Sequence, residues 1–205
     1  MSEKIKVKVI LGSVRQGRFG ERPANWLIEQ LKEWKDLDVE LLDLKDYPMP
    51  FFDSPVSPAW MNMKYDNPVV QKWSDKIKEA DAYIMVSPEY NHGYSSVLKN
   101  AIDWLGPEWG RKPVGFVSYG SASGARVIEQ LKEVTIELNM VPMKRAIGVN
   151  GNHLVRIWKG ENLTNEELFA DLRKGPMGTD HLAEFVKDLV WMAEALRSAR
   201  SQQNQ

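Results

Sequence analysis

Two kinds of hydrophobic periodicity alternate along the chain. Ile5-Lys-Val-Lys-Val-Ile-Leu11 is β-branched and at first alternates apolar with basic residues, then stops at Gly12-Ser13, the pattern of a strand running into a loop. From Glu21 to about Lys35 the period changes. Ala24, Leu27, Ile28, Leu31 and Trp34 fall at helical spacing, and Pro23 fits because it lies in the first turn, where its missing N–H would have had no partner. Val39 to Leu44 predicts a second strand, and Asn67-Pro68 opens a helix through Trp73 and Ile77 to about Ala80. Ala82-Tyr-Ile-Met-Val86 is a continuous apolar run between Asp81 and Ser87-Pro88, which suits a strand buried on both faces. A helix over about Ser95 to Leu105, a strand over Pro113 to Val117, a helix marked by Ile128, Leu131, Thr135 and Leu138, and a strand over Met140 to Val149 follow. Five strands alternating with helices predict a parallel sheet covered on both faces, with right-handed crossovers.

Two segments stand outside the alternation. Tyr47 to Pro68 holds five prolines with Met49, Phe51, Phe52, Trp60 and Met63, a long apolar-rich loop of the kind that forms either a local packing element or a binding or interface surface. Beyond residue 149, Thr164-Asn-Glu-Glu167 reads as a helix start, and Leu182, Phe185, Val186, Leu189, Ala193 and Leu196 form one stripe of a helix from about Asp180, with Arg197 to Gln205 frayed. This tail has no domain-sized core of its own. The expectation is one domain over 1–205, with a core at about 5–148 and a helical extension at about 149–205 that covers the sheet or meets another subunit.

Composition narrows the chemistry. Of the 205 residues 43% are hydrophobic and 27% charged, an ordinary globular balance. Lys and Arg number 27 against 28 Asp and Glu, so a net charge of −1 gives no field toward nucleic acid or an anionic membrane, and neither is an expected partner. The absence of cysteine excludes disulfides, thiolate nucleophiles and Cys-ligated metals, and the three His, at 92, 153 and 181, are too scattered for a metal motif. The first apolar run is too short for a signal peptide and no run approaches a membrane span, so a soluble, cytoplasmic protein is expected.

Ligands of open α/β sheets sit beyond the carboxyl ends of the strands, which singles out the loops Gly12–Gly20, Ser87–Tyr94 and Ser118–Gly124. The first leads into a helix. Its N–H groups, Ser13 and two guanidinium groups make either a cradle for a phosphate monoester or a solvated loop whose glycines turn the chain. It is not a nucleoside-triphosphate loop, because Arg18-Phe19 stand where Lys and then Ser or Thr are needed. In the second loop His92 is either a surface turn residue or part of a substrate site, and Tyr90 and Tyr94 either cap the core or touch a ligand. Glu89 and Asp103 look like an acid pair on paper, but Asp103 falls on a helix beside Trp104, which favours a structural or interface role. Trp109 with Arg111 reads as an exposed pair suited to an interface.

S-P-E-Y-N at 87–91 followed by L-K-N-A-I-D-W at 98–104, with G-S-x-R at 12–15 and S-x-G-x-x-x-G at 118–124, resembles the NADPH-dependent FMN reductase family over about residues 5–148. The chain departs from that pattern at Arg18 and Gly20, where members often carry Ser and Asn, and at Ser96-Val97, where Pro-Gly is common. The resemblance implies an α/β flavodoxin-like fold, a doubly wound five-stranded parallel sheet of order 2-1-3-4-5. It implies FMN as cofactor, with NADPH or NADH as co-substrate and no catalytic side chain, since the flavin carries the hydride chemistry. The phosphate would lie among Ser13, Arg15, Arg18, Phe19 and Gly20. Pro88, Glu89, Tyr90 and Asn91 would border the isoalloxazine, mainly through backbone groups, and Ser118, Gly120 and Ser121 would close the other side. The expected activity is ping-pong transfer of two electrons to a quinone, free flavin, azo compound or similar small-molecule acceptor. A flavodoxin-type carrier and a flavin-free regulatory protein are the alternatives, and the near-neutral charge argues against the acidic docking face of a carrier. Apolar side chains in the Met49–Met63 loop, around Trp104–Trp109 and in the last helix exceed what two sheet faces need, which predicts a homodimer or homotetramer.

Overall fold

A computed structural model of the protein describes residues 3–173 and 179–203. In chain order its elements are β1 (Ile5–Leu11), α1 (Glu21–Lys32), β2 (Leu37–Asp43), α2 (Pro68–Glu79), β3 (Ala82–Pro88), α3 (Ser96–Asp103), β4 (Pro113–Tyr119), α4 (Ala125–Glu137), β5 (Val141–Pro142), β6 (Ile147–Val149), α5 (Gly151–Trp158), α6 (Asn165–Phe169) and α7 (His181–Gln203). The sheet runs β2-β1-β3-β4-β5, all parallel, with β6 also pairing β4. This is the doubly wound, flavodoxin-like order.

Strand alternation sorts the core into two layers. Val7, Val9, Leu11, Ile84, Val86 and Val117 face α1 and α7, whereas Ile10, Tyr83, Met85, Val114 and Phe116 face α2, α3 and α4. The helix starts are encoded locally. Asn67 accepts from the N–H groups of Val69 and Val70 ahead of Pro68 in α2, and Ser95 accepts from the Leu98 N–H at the start of α3.

The structure alters three expectations and divides a fourth segment between its two readings. The segment Met140–Val149 is not one strand: β5 and β6 are separated by residues 143–146, which bulge from the edge beside Gly115 and Phe116. Pro142 has no N–H for the ladder, and the bulged carbonyls find side-chain donors instead, Lys132 Nζ on Lys144 at 3.2 Å and His181 on Ala146 at 3.1 Å. The tail is not frayed at Arg197. Helix α7 continues to Gln203, held where Arg197 donates to the Lys4 carbonyl (3.1 Å) and Arg200 reaches Asp81 (3.0 Å); positions 204 and 205 lie outside the described residues. Trp109 is fully buried, edge-on to Trp73 and Tyr83, rather than exposed beside Arg111. In the 47–68 loop Phe52 packs on Trp104 while Phe51 and Trp60 are left exposed.

Helix α7 belongs to the core. Phe185, Val186, Leu189 and Ala193 are fully buried in the layer shared with α1, each large apolar side chain contributing ~1.5–3 kcal/mol of transfer free energy. Phe185 sits over Gly115 in the middle of β4, where an added Cβ would come within 2.3 Å of its ring. Replacing Gly115 with Ala should therefore overpack this contact and lower stability by ~1–3 kcal/mol, read as a lower urea midpoint with an unchanged m-value.

Candidate cofactor site

The three loops meet at the carboxyl ends of β1, β3 and β4, where backbone bonds fix their roots. The Gly12 N–H donates to the Val86 carbonyl at 2.8 Å and the Glu89 N–H to the Tyr119 carbonyl at 2.8 Å. Two buried hydroxyls add cross-ties: Ser95 Oγ donates to the Gly12 carbonyl, and Ser118 Oγ to the Ser87 carbonyl at 2.8 Å. Ser118 therefore stands behind the site as a brace, while Ser121 is exposed at its rim.

In the first loop the two arginines have parted. Arg15 is exposed. Arg18, expected beside the phosphate, is instead buried behind the loop with all three of its nitrogens engaged. Its Nε donates to Glu21 at 2.9 Å, Nη1 to the Ser13 carbonyl and to Asp43 Oδ1 (2.7 Å), and Nη2 to Asp43 Oδ2. The fork–fork pair pins the loop to the end of β2. Burial raises the Asp43 carboxyl, but hydrogen bonds from Arg18 and the Lys45 N–H outweigh it and hold the pKa below the usual aspartate range. The N–H groups of Gln16, Gly17 and Phe19 make no hydrogen bond among the described residues, so the loop keeps donors free where it meets the N-terminus of α1.

The second loop is a hairpin. Tyr90 and Gly93 exchange both backbone hydrogen bonds (2.8 and 2.9 Å), and Asn91 and His92 between them have φ of 50° and 69°, a left-handed pair of the kind a type I′ turn requires. Glu89 and Tyr90 have thus spent their N–H groups inside the protein, whereas the N–H groups of the exposed Asn91 and His92 make no hydrogen bond among the described residues. Helix α4 grips the hairpin from behind with two residues one turn apart: Arg126 pairs with Glu89 at 2.5 Å and Gln130 Nε2 donates to the His92 carbonyl at 3.0 Å. Asp103 lies elsewhere, paired with Lys99, so it forms no couple with Glu89. Tyr90 leans across to the first loop, its hydroxyl 3.1 Å from Ser13 Oγ.

Comparison with known proteins decides what this arrangement belongs to. Residues 5–153 match the family described as NADPH-dependent FMN reductase. The chain belongs to the NADPH-dependent FMN reductase family. An NAD(P)H-dependent FMN reductase of Schizosaccharomyces pombe is 36% identical over 153 residues, 74% of this chain and 76% of that protein. A quinone reductase of Escherichia coli strain K12 is 32% identical over 157 residues, 71% of this chain and 77% of the relative. Among solved structures, the flavoenzyme FerB of Paracoccus denitrificans, an NAD(P)H:acceptor oxidoreductase, superposes with a TM-score of 0.57 at 20% identity over 94% of each chain, a likeness of fold.

Set within the NADPH-dependent FMN reductase family, the geometry also exposes residues that the sequence did not single out. Arg126 and Gln130 are visible in sequence only as polar positions four apart on a helix. Tyr119, the last residue of β4, is buried, packs edge-on against Phe19 with ring centroids 5.1 Å apart, and has a hydroxyl with no hydrogen-bond partner. Glu89 Oε2 is likewise buried and unpartnered. A cavity of about 900 Å³ between residues 57–63 and the C-terminal halves of α3 and α4 shares no residue with the three loops. No group of metal-ligating side chains occurs among the described residues, and no helix there is long and apolar enough to cross a membrane.

The buried pair behind the first loop gives a pH-dependent expectation. The Asp43 pKa is lower folded than unfolded, so its contribution is complete above the unfolded value of about 3.9 and is lost as pH falls through the folded value. Asp43→Asn, which leaves the Arg18 charge without its partner, should cost about 3 kcal/mol at neutral pH. Chemical denaturation of the two proteins across the acid range should show their stabilities converging; a difference that is constant with pH would refute the charge pairing.

Proposed function

We propose that the protein is an FMN-dependent oxidoreductase that takes NADPH or NADH as reductant and delivers two electrons to a quinone, free flavin, azo compound or similar small molecule. The observation that carries this reading is the convergence, at the ends of β1, β3 and β4, of a first loop with free N–H groups at a helix start and a rigid hairpin bearing Tyr90. When bound, FMN supplies the hydride acceptor and then the electron donor for the second substrate. The chain's own residues do the positioning. The N–H groups of Gln16, Gly17 and Phe19, with Ser13 and the exposed Arg15, hold the phosphate at the N-terminus of α1, while Arg18 acts from behind by fixing the loop's course. Pro88 to Asn91 form one border of the ring, where the free Asn91 N–H is a fixed dipole, and Gly120 and Ser121 form the other. Tyr90 presents an aromatic wall toward a stacked nicotinamide.

One open face must then serve both substrates in turn. Initial rates of NADPH oxidation at several fixed quinone concentrations should give parallel double-reciprocal lines. Intersecting lines would overturn the shared face, and absence of turnover with every acceptor class would overturn the enzymatic reading in favour of a carrier.

The assembly we propose is a homodimer or homotetramer in the cytoplasm, in keeping with the cysteine-free composition. Phe51, Val56, Trp60 and Ile136 are exposed, and Trp60 and Ile136 adjoin residues lining the cavity between α3, α4 and the 57–63 segment. Light scattering should return at least twice the 23.5 kDa of one chain; a monomer at micromolar concentration would refute it.

A further inference from the structure

A phosphate monoester presents three strongly accepting terminal oxygens, and the first loop is short of side-chain donors to meet them. Arg15 is its exposed cationic donor, but Arg18 is engaged by Asp43, Glu21 and the Ser13 carbonyl, the Phe19 and Gly20 side chains offer nothing polar, and the Ser13 hydroxyl is already within reach of Tyr90. Directly against this loop lies the one buried tyrosine hydroxyl without a hydrogen bond among the described residues. Tyr119 is 7% exposed, its Oη is unpartnered, and a Cβ built on Gly20 would fall 2.5 Å from that oxygen. The phenol therefore occupies the space a side chain at position 20 would take, at the N-terminus of α1. The Gly20 N–H and the Ser13 hydroxyl approach it as weak hydrogen-bond partners that draw its pKa down against the larger effect of burial, but neither reaches full hydrogen-bond geometry.

An unsatisfied buried hydroxyl costs ~1–3 kcal/mol, so it calls for an explanation, and an absent ligand is one. We propose that Tyr119 is a ligand of the cofactor phosphate, its Oη donating a hydrogen bond to a terminal phosphate oxygen of FMN. This rests on the FMN reading above and adds to it a contact contributed from the end of β4 rather than from the loop itself. Burial raises the Tyr119 pKa, so the hydroxyl remains a protonated donor throughout the physiological range. Phe19, edge-on to the ring, holds the phenol in place. Gly20 acquires a reason on the same account: any side chain there would displace the phenol.

The test uses the apo-protein and reads binding and stability rather than turnover. Tyr119→Phe removes only the oxygen. FMN and riboflavin, which differ by the phosphate, are titrated separately by quenching of flavin fluorescence, and the thermal midpoint of each apo-protein is recorded. The expected result is an FMN Kd raised about tenfold, an unchanged riboflavin Kd, and an apo midpoint equal to or above that of the wild type, since an unsatisfied group has gone. Gly20→Ala, which crowds the phenol out of position, should likewise weaken FMN and spare riboflavin. Equal losses for FMN and riboflavin in Tyr119→Phe would overturn the proposal by placing the hydroxyl on the ring, and an unchanged FMN Kd would overturn it by showing the hydroxyl idle. Wild-type protein that fails to take up FMN would sink the cofactor reading itself, a result distinct from wild-type binding that Tyr119→Phe leaves intact.

Discussion

Parallel strands cannot be joined by a tight turn, and this one constraint organises the molecule. Each strand must be followed by a crossover that returns the chain to the starting end of the sheet, so the segments after β1, β3 and β4 all emerge on one side. Because helices cover both faces, that end is where three loops can converge without burying their backbone. The cross-ties at Gly12, Ser95, Ser118 and Glu89 then turn a topological coincidence into a fixed arrangement. What binds there is decided by the few residues that decorate the loops.

Within that frame the loops combine bonds of their own with anchors to the elements around them. The first is anchored by a guanidinium behind it and the second by two side chains of α4, so each presents free donors on one side and engaged ones on the other. The left-handed pair at Asn91 and His92 carries conformational strain that a free hairpin would shed by fraying, and the Arg126 and Gln130 contacts oppose that loss. A site prepared in this way has little ordering left to do when a ligand arrives.

The fold was legible because burial on both faces leaves a strong trace: Ala82 to Val86 can hardly be anything but an inner parallel strand, and Asn67-Pro68 announces a helix by its own chemistry. The three loops followed from the strand ends. The division between Arg15 and Arg18 was not legible, since two identical side chains three apart in one loop differ only in whether an aspartate twenty-five residues later reaches them. The break between β5 and β6 was hidden because its cause lies in donors from α4 and from the start of α7. Tyr119 falls in the Ser118–Gly124 loop, but the sequence motif there picks out only its neighbours Ser118 and Gly120. That its oxygen ends against a glycine of another loop is a fact of packing in three dimensions, and no local pattern records it.

The seating of Phe185 over Gly115 has a consequence for how the protein comes into being. The notch that a glycine leaves in the middle of β4 can be filled only by a residue seventy positions further along the chain. A nascent polypeptide that has completed β1 through β4 and the loop to Gly124 therefore holds every loop of the cofactor site, yet on the face that α1 and α7 share it has only α1 to cover its sheet. Synthesis must run on through α7 before that face is sealed, and until then the ribosome presents a half-dressed sheet to the cell's chaperones.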